Sequence, residues 1–294
     1  MTAAGGDNLR GAILLALAAV LFTLEVALMR LAGPEVSQAQ VVLARSLGQL
    51  GLSAAILMRS GWGLLATRRP GLHLVRGLTS LTMWWLYYLS FQMLDMGLAT
   101  TLTFTTSLFV VALAAPLLGE RVGAMRWIAT VAGFFGVAVA SGFGGGSAPL
   151  AGVALGLLSA AGGAAIVFLN RILSRSEPTV TIMAWIGIVT TLGALPLAVL
   201  GWQPPGPRAL LLLAAMGAVG ACGMWLTIEA YRLGEVSALA PVPYLRLVVA
   251  LLAGWVMFAE VPALTTLAGA AIIVAATLAV ARHEYRQGLA APHR

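Results

Sequence analysis

Ten stretches of about 20 apolar residues follow one another along this chain, joined by short connections. A helix of about that length crosses the hydrocarbon of a bilayer. Inside lipid, a helix satisfies its own backbone hydrogen bonds, whereas an irregular segment does not. Hydropathy places the stretches at 9–31, 38–58, 72–91, 97–118, 124–142, 150–173, 180–200, 208–231, 237–258 and 264–281. The fold class this predicts is an all-α integral membrane protein with ten transmembrane helices. Composition excludes a water-soluble domain: 60% of residues are hydrophobic and 9% charged, against about 25% charged in soluble proteins. The apolar run after MTAAGGDNLR shows no sensible small-residue cleavage site, so it reads as a retained first helix.

Charge then sets the expected orientation. The 17 basic residues are all Arg. With the amino terminus inside, thirteen of them fall on inner segments, and only Arg30 and Arg208 on outer ones. Such an asymmetry places both termini in the cytoplasm of a bacterial-type inner membrane. The net charge of +7 is then a topology device and a contact for anionic lipid, with no nucleic-acid partner, because no basic run is interleaved with stacking aromatics. Cys222 is the single cysteine and excludes an intramolecular disulfide.

The chain also repeats itself. At a spacing of 141, Gly11, Leu14, Ala19, Val26 and Arg30 meet Gly152, Leu155, Ala160, Val167 and Arg171. At 140, Gly77, Trp85, Leu86 and Glu120 meet Gly217, Trp225, Leu226 and Glu260. Apolar matches are cheap in such a chain, but the Trp, Arg and Glu pairs are informative. Five spans per half, an odd number, invert the second half. The expected organisation is therefore two inverted five-helix repeats, 1–146 and 147–294, forming one transport unit with a midplane site. The Gly-rich seam at 143–149 lacks the spacing of a phosphate-binding loop and reads as a linker.

In each half, the fourth span is polar first and apolar afterwards, and ends in a Gly/Ala-Glu step, at Gly119-Glu120 and Ala259-Glu260. On these features, and on residues 229–260, EAYRLGEVSALAPVPYLRLVVALLAGWVMFAE, the sequence resembles the EamA-type drug/metabolite transporter superfamily. Within it, the chain is most similar to the YddG-type exporters of aromatic and other amino acids. The resemblance covers nearly the whole chain. It implies a basket of ten helices, with a central cavity lined by helices one, three and four with six, eight and nine, and with five and ten packed at one end. The first copy departs from the pattern, with Thr101 where the second has Pro241.

Candidate site residues follow from polarity at depth. Glu25 and Arg45 each lie about 10 Å below the same surface by helix rise. Their pairing would be structural, while an unpaired carboxylate there would suggest proton coupling. Arg246 sits near mid-depth in helix nine, after Pro241 and Pro243, prolines that free backbone carbonyls, and after Tyr244, itself a candidate for the substrate site. It is either a strut to Glu229 or a dock for a substrate carboxylate. Thr82, Trp85 and Tyr88 in helix three, Trp225 in helix eight, and the Thr100, Thr103, Ser107 stripe in helix four are the remaining cavity candidates. Some of the Thr hydroxyls have the alternative of bonding back to helix carbonyls.

No nucleophile elbow, HExxH or cysteine cluster occurs, so no enzyme, metal or cofactor is expected. The reading is a secondary transporter, needing no more than a monomer, that exports small organic solutes, amino acids including aromatic and apolar ones. A broad metabolite or drug exporter is the alternative within transport; a membrane scaffold or an intramembrane enzyme is the alternative from another class.

Overall fold

A computed structural model describes residues 3–106, 108–110, 124–140, 148–173, 176–233, 242 and 245–290. Among them are ten α-helices: α1 (Ala3–Leu31), α2 (Gln38–Ser60), α3 (Pro70–Met93), α4 (Met96–Thr103), α5 (Ala124–Ala140), α6 (Leu150–Leu173), α7 (Thr179–Leu200), α8 (Pro207–Leu233), α9 (Leu245–Phe258) and α10 (Leu264–Ala290). Five of them, α1, α2, α6, α7 and α8, are by themselves long and apolar enough to cross a membrane. The predicted spans coincide with α2, α3, α6, α7 and α8 to within two residues at each end, whereas α1 begins six residues earlier and α10 runs nine residues further than predicted. Pro241, Pro243, Tyr244, Ser107 and Glu120 lie outside the described residues.

Local chemistry sets the boundaries. Ser37 accepts the Gln40 N–H while the Gln40 side chain accepts the Ser37 N–H, a reciprocal capping box that starts α2. Pro70 and Pro207 open α3 and α8, where a missing N–H costs nothing. Gly33 and Gly61 take positive φ after α1 and α2, a conformation that only glycine adopts without penalty. In α4 and just beyond its end, Thr101, Thr103 and Thr105 donate to the carbonyls of Gly97, Thr100 and Leu102 at 2.6–2.8 Å. Much of the threonine excess in this helix is thus absorbed by its own backbone, a pattern that bends helices. The regular turn gives way at Phe104.

The connections pair at opposite ends of the bundle. Gln40, just after the α1–α2 turn, donates to the Gln203 carbonyl in the α7–α8 turn. At the other end, Thr67 donates to Glu177, and Thr181 and Trp185 donate to the Leu64 and Leu65 carbonyls. The α2–α3 loop is therefore clamped on the α6–α7 turn.

Glycines set the closest helix crossings. A methyl group on Gly48 of α2 would collide with the Gly217 backbone of α8, and one on Gly269 of α10 with the Gly136 carbonyl of α5. Small residues let membrane helices approach at backbone distance. Gly136 and Gly269 thus pack α5 against α10 within one chain. We expect Gly48→Ala to destabilise the fold by about 1–3 kcal/mol, the usual cost of overpacking, read as a lower melting temperature in detergent. Gly51→Ala, one turn away with nothing within 4 Å, is the neutral control.

Candidate functional site

The helices enclose a cavity of about 350 Å³ at mid-depth. Its wall is built from six helices: Leu15, Ala19 and Phe22 of α1, Met83 and Tyr87 of α3, Thr103 and Thr106 of the α4 segment, Ser159 and Gly163 of α6, Thr227 of α8 and Arg246 of α9. Most of the described lining is apolar, and Arg246 is the one basic residue among it.

Arg246 is held by aromatic neighbours. One Nη donates to the Tyr87 hydroxyl, and the guanidinium lies 5.6 Å from the Phe22 ring centroid and 5.8 Å from that of Tyr87. Its Nε is buried without a hydrogen-bond partner. A buried donor left unpaired costs about 1–3 kcal/mol, and more when charged. Such a group on a cavity wall is suited to an oxyanion brought by a ligand. Tyr87 also packs on Phe91 and Tyr88, with ring centroids 4.5 and 5.1 Å apart, so the contact is fixed from behind.

A second polar cluster lies beside the cavity wall. Glu25 and Arg45 form an ion pair at 2.6 Å, both almost fully buried. Tyr88 donates to the same Glu25 oxygen at 2.6 Å. Arg45 stacks over Trp84 at 4.5 Å and reaches Gln49. Gly220 of α8 leaves room for the carboxylate, since any side chain there would collide with it. The pairing anticipated from depth alone is formed, and the cluster ties α1, α2 and α3 together against α8.

The remaining candidates are placed as follows. Thr103 and Arg246 share the cavity. Tyr88 belongs to the Glu25 cluster, and Thr100 is buried between helices. Thr82 points to an outer groove with Val75, Leu78 and Leu158. Trp85 is packed on the core, its carbonyl accepting from Gln38, and Trp225 is 44% exposed on the outer flank of α8. Neither tryptophan reaches the cavity; Phe22 and Tyr87 supply the aromatic wall instead. Glu229 is half-buried on α8.

The face of α3 explains the difference. Arg76 bonds Asn170 and Ser80, so it must look inward, and the helical stripe through Arg76, Ser80, Met83 and Tyr87 leads to the cavity. The buried charge at Arg76 was the signal that could have selected this stripe over the one through Thr82 and Trp85.

A profile of the EamA-like transporter family matches residues 9–142 and again 150–282. The S-adenosylmethionine uptake transporter of Rickettsia felis is 31% identical over 226 residues, 74% of each chain. The riboflavin transporter of Rhizobium johnstonii is 30% identical, over 80% of this chain and 78% of its own. The pseudopaline exporter of Pseudomonas aeruginosa is 30% identical over 94% of this chain and 98% of its own length. A protein of known crystal structure, 21% identical, shares the fold at a TM-score of 0.60 over 94% of this chain and 98% of that one.

Proposed function

Since this chain belongs to the EamA-like transporter family, we propose that it exports small carboxylate-bearing organic solutes, foremost amino acids with apolar or aromatic side chains, across a bacterial inner membrane. That it is a multi-pass membrane protein transporting small molecules follows from the family and the apolar helices. The finer reading is carried by one observation: a single guanidinium among the described lining residues, its buried Nε unpaired, in an otherwise largely apolar cavity. Arg246 receives the carboxylate, the hydroxyls of Thr103, Thr106 and Ser159 offer acceptors for an ammonium, and Phe22, Met83 and Leu15 take the side chain.

The outward direction has the support of the pseudopaline exporter, which aligns over nearly all of both chains. The double family match supports two repeats, 1–146 and 147–294, inverted by their odd helix number and rocking about the cavity. A single chain supplies all six helical segments of the described lining, which supports a monomer as the transport unit. Glu25 and Arg45 are read as structural, because two buried charges that meet at 2.6 Å each need the other as counter-charge. A wider range of metabolites is the second reading, because relatives are named for S-adenosylmethionine and riboflavin.

Proteoliposome uptake of labelled phenylalanine, competed with methionine, threonine, riboflavin and S-adenosylmethionine, tests the substrate class. Competition by the amino acids alone supports the first reading, and competition by the larger two supports the second. Among amino acids the ranking should be shallow, because hydrophobic pockets discriminate by about 1–3 kcal/mol per methylene. We expect Phe22→Ala to reorder phenylalanine against threonine, with Trp225→Ala without effect on the ranking. A reordering by Trp225→Ala equal to that by Phe22→Ala would contradict the cavity assignment.

The orientation is tested with single cysteines at Gly63 and Gly206, in opposite turns with open space around each, in a Cys222→Ala background. An impermeant maleimide on intact cells should label Gly206→Cys and leave Gly63→Cys silent. The reverse pattern would invert the topology.

A further inference from the structure

At the α1–α2 end of the bundle, beyond the Glu25–Arg45 pair along α1, lies a further charged cluster. Arg30, the last basic residue of α1, donates to the Phe91 and Leu94 carbonyls at the end of α3 and forms an ion pair with Glu260 after α9. Its guanidinium also lies 5.2 Å from the Phe258 ring centroid. Phe22 and Arg30 are eight residues apart on one helix, about 12 Å by helix rise.

Glu260 does two jobs at once. Its second oxygen accepts the Met96 N–H at 2.8 Å, at the first turn of α4. Asp95, the residue in the N-cap position there, makes no capping bond with its own side chain. A distant carboxylate therefore replaces the local one at a helix end that favours negative charge. Ala259, with φ 54°, turns the chain back after α9 so that Glu260 reaches this place. The pair thereby fastens α9 to α1, α3 and α4, helices from both halves of the chain.

Beyond the pair opens a second cavity of about 580 Å³, lined by Arg30, Glu260, Asp95, Gln38, Gln92 and Pro34 among others. Partial burial, and next the Glu260 carboxylate, raise the Asp95 carboxyl above its ordinary range, while Arg30 acts in the opposite sense. The cavity thus presents an anchored cation, a carboxylate engaged with it, and a second carboxylate that caps nothing. This set matches a zwitterion: an incoming carboxylate can take the place of Glu260 on Arg30 while its ammonium group meets Asp95.

We propose that this outer cavity is a second solute-binding site and that the Arg30–Glu260 pair is its gate, opened when a solute carboxylate exchanges with Glu260 on Arg30. The zwitterionic class of the solute rests on the function proposed above; the gate does not. Breaking the pair releases α9 from α1 and α3 and connects the two cavities, a step that passage through this end requires. In the sequence, both members of the pair recur at the repeat spacing as Arg171 and Glu120.

The gate is tested by the labelling rate of Thr103→Cys, on the central cavity wall, in a Cys222→Ala background, with an impermeant maleimide applied from the Arg30 face. Glu260→Gln should raise that rate about tenfold, the factor given by a loss of ~1.4 kcal/mol from the closed state, and Glu260→Asp should raise it less. An unchanged rate in a Glu260→Gln protein that is monodisperse on gel filtration would overturn the gate. The site is tested separately through Asp95→Asn, a change at an exposed turn that leaves the fold testable even if Glu260→Gln does not assemble. For solute presented at the Arg30 face, Asp95→Asn should raise the KM of phenylalanine about tenfold and leave that of 3-phenylpropionate, which lacks the ammonium group, unchanged. An equal change for both solutes, or none for either, would overturn the site. If the wild-type protein carries neither solute while Glu260→Gln still opens the cavity, the gate stands, the zwitterion site is overturned, and the amino-acid reading falls with it.

Discussion

Replacing Arg246 by glutamine should lower uptake of phenylalanine, methionine and threonine together, by about ten- to hundredfold, with the protein folded. The uniformity follows from geometry. In the proposed binding mode Arg246 meets the part of the solute that all three share, whereas Phe22, Met83 and Leu15, on the same cavity wall, meet the part that differs. A hydrogen bond to a charged group is worth about 1.5–3 kcal/mol, which gives that range of rates. Folding should survive, because what is lost in the protein itself is a bond to Tyr87 and two ring contacts, while one unpaired buried donor disappears. Proteoliposome uptake alongside gel filtration separates the two effects. If Arg246→Gln instead fails to assemble, the arginine is a strut between α9 and α3 rather than a substrate contact.

The second large effect is on stability. Glu25→Gln leaves Arg45 without its counter-charge in a site closed by Trp84, Tyr88 and Gly220. Removing one partner from a buried ion pair costs about 3–5 kcal/mol, because the survivor remains desolvated and unpaired. We expect a sharp fall in folded yield and melting temperature for Glu25→Gln. The double change Glu25→Gln with Arg45→Gln should recover part of the loss, since two neutral amides carry no unpaired charge. A Glu25→Gln protein of normal stability that loses only pH-driven flux would make Glu25 a proton carrier and not a structural anchor.

What could be read from the sequence divides along a physical line. Helix existence and extent depend on local hydropathy and capping, so the spans fall within two residues of α2, α3, α6 and α7. Glu25 and Arg45 were legible because equal depth on adjacent helices, plus the cost of burying one charge, leaves pairing as the cheap solution. The inward face of α3 was harder. Aromatics occupy both stripes, at Trp84, Trp85, Tyr87 and Tyr88, and composition does not say which faces lipid; only the buried Arg76 and its bond to Asn170 do. Threonines in α4 misled in part, because a hydroxyl inside a membrane has a ready acceptor in its own helix. The partner of Glu260 was out of reach altogether. Its place beside Arg30 and Met96 depends on a left-handed turn at Ala259 and on contacts 164 to 230 residues apart.

The most direct test of transport through the Arg246 cavity is counterflow of labelled phenylalanine into liposomes that hold the purified protein and are preloaded with unlabelled phenylalanine. The wild-type protein should show a transient accumulation of label above equilibrium, and Arg246→Gln should show little or none. Label that rises no faster with the wild-type protein than in protein-free liposomes would contradict amino-acid transport. An undiminished overshoot in folded Arg246→Gln would remove the arginine from the path.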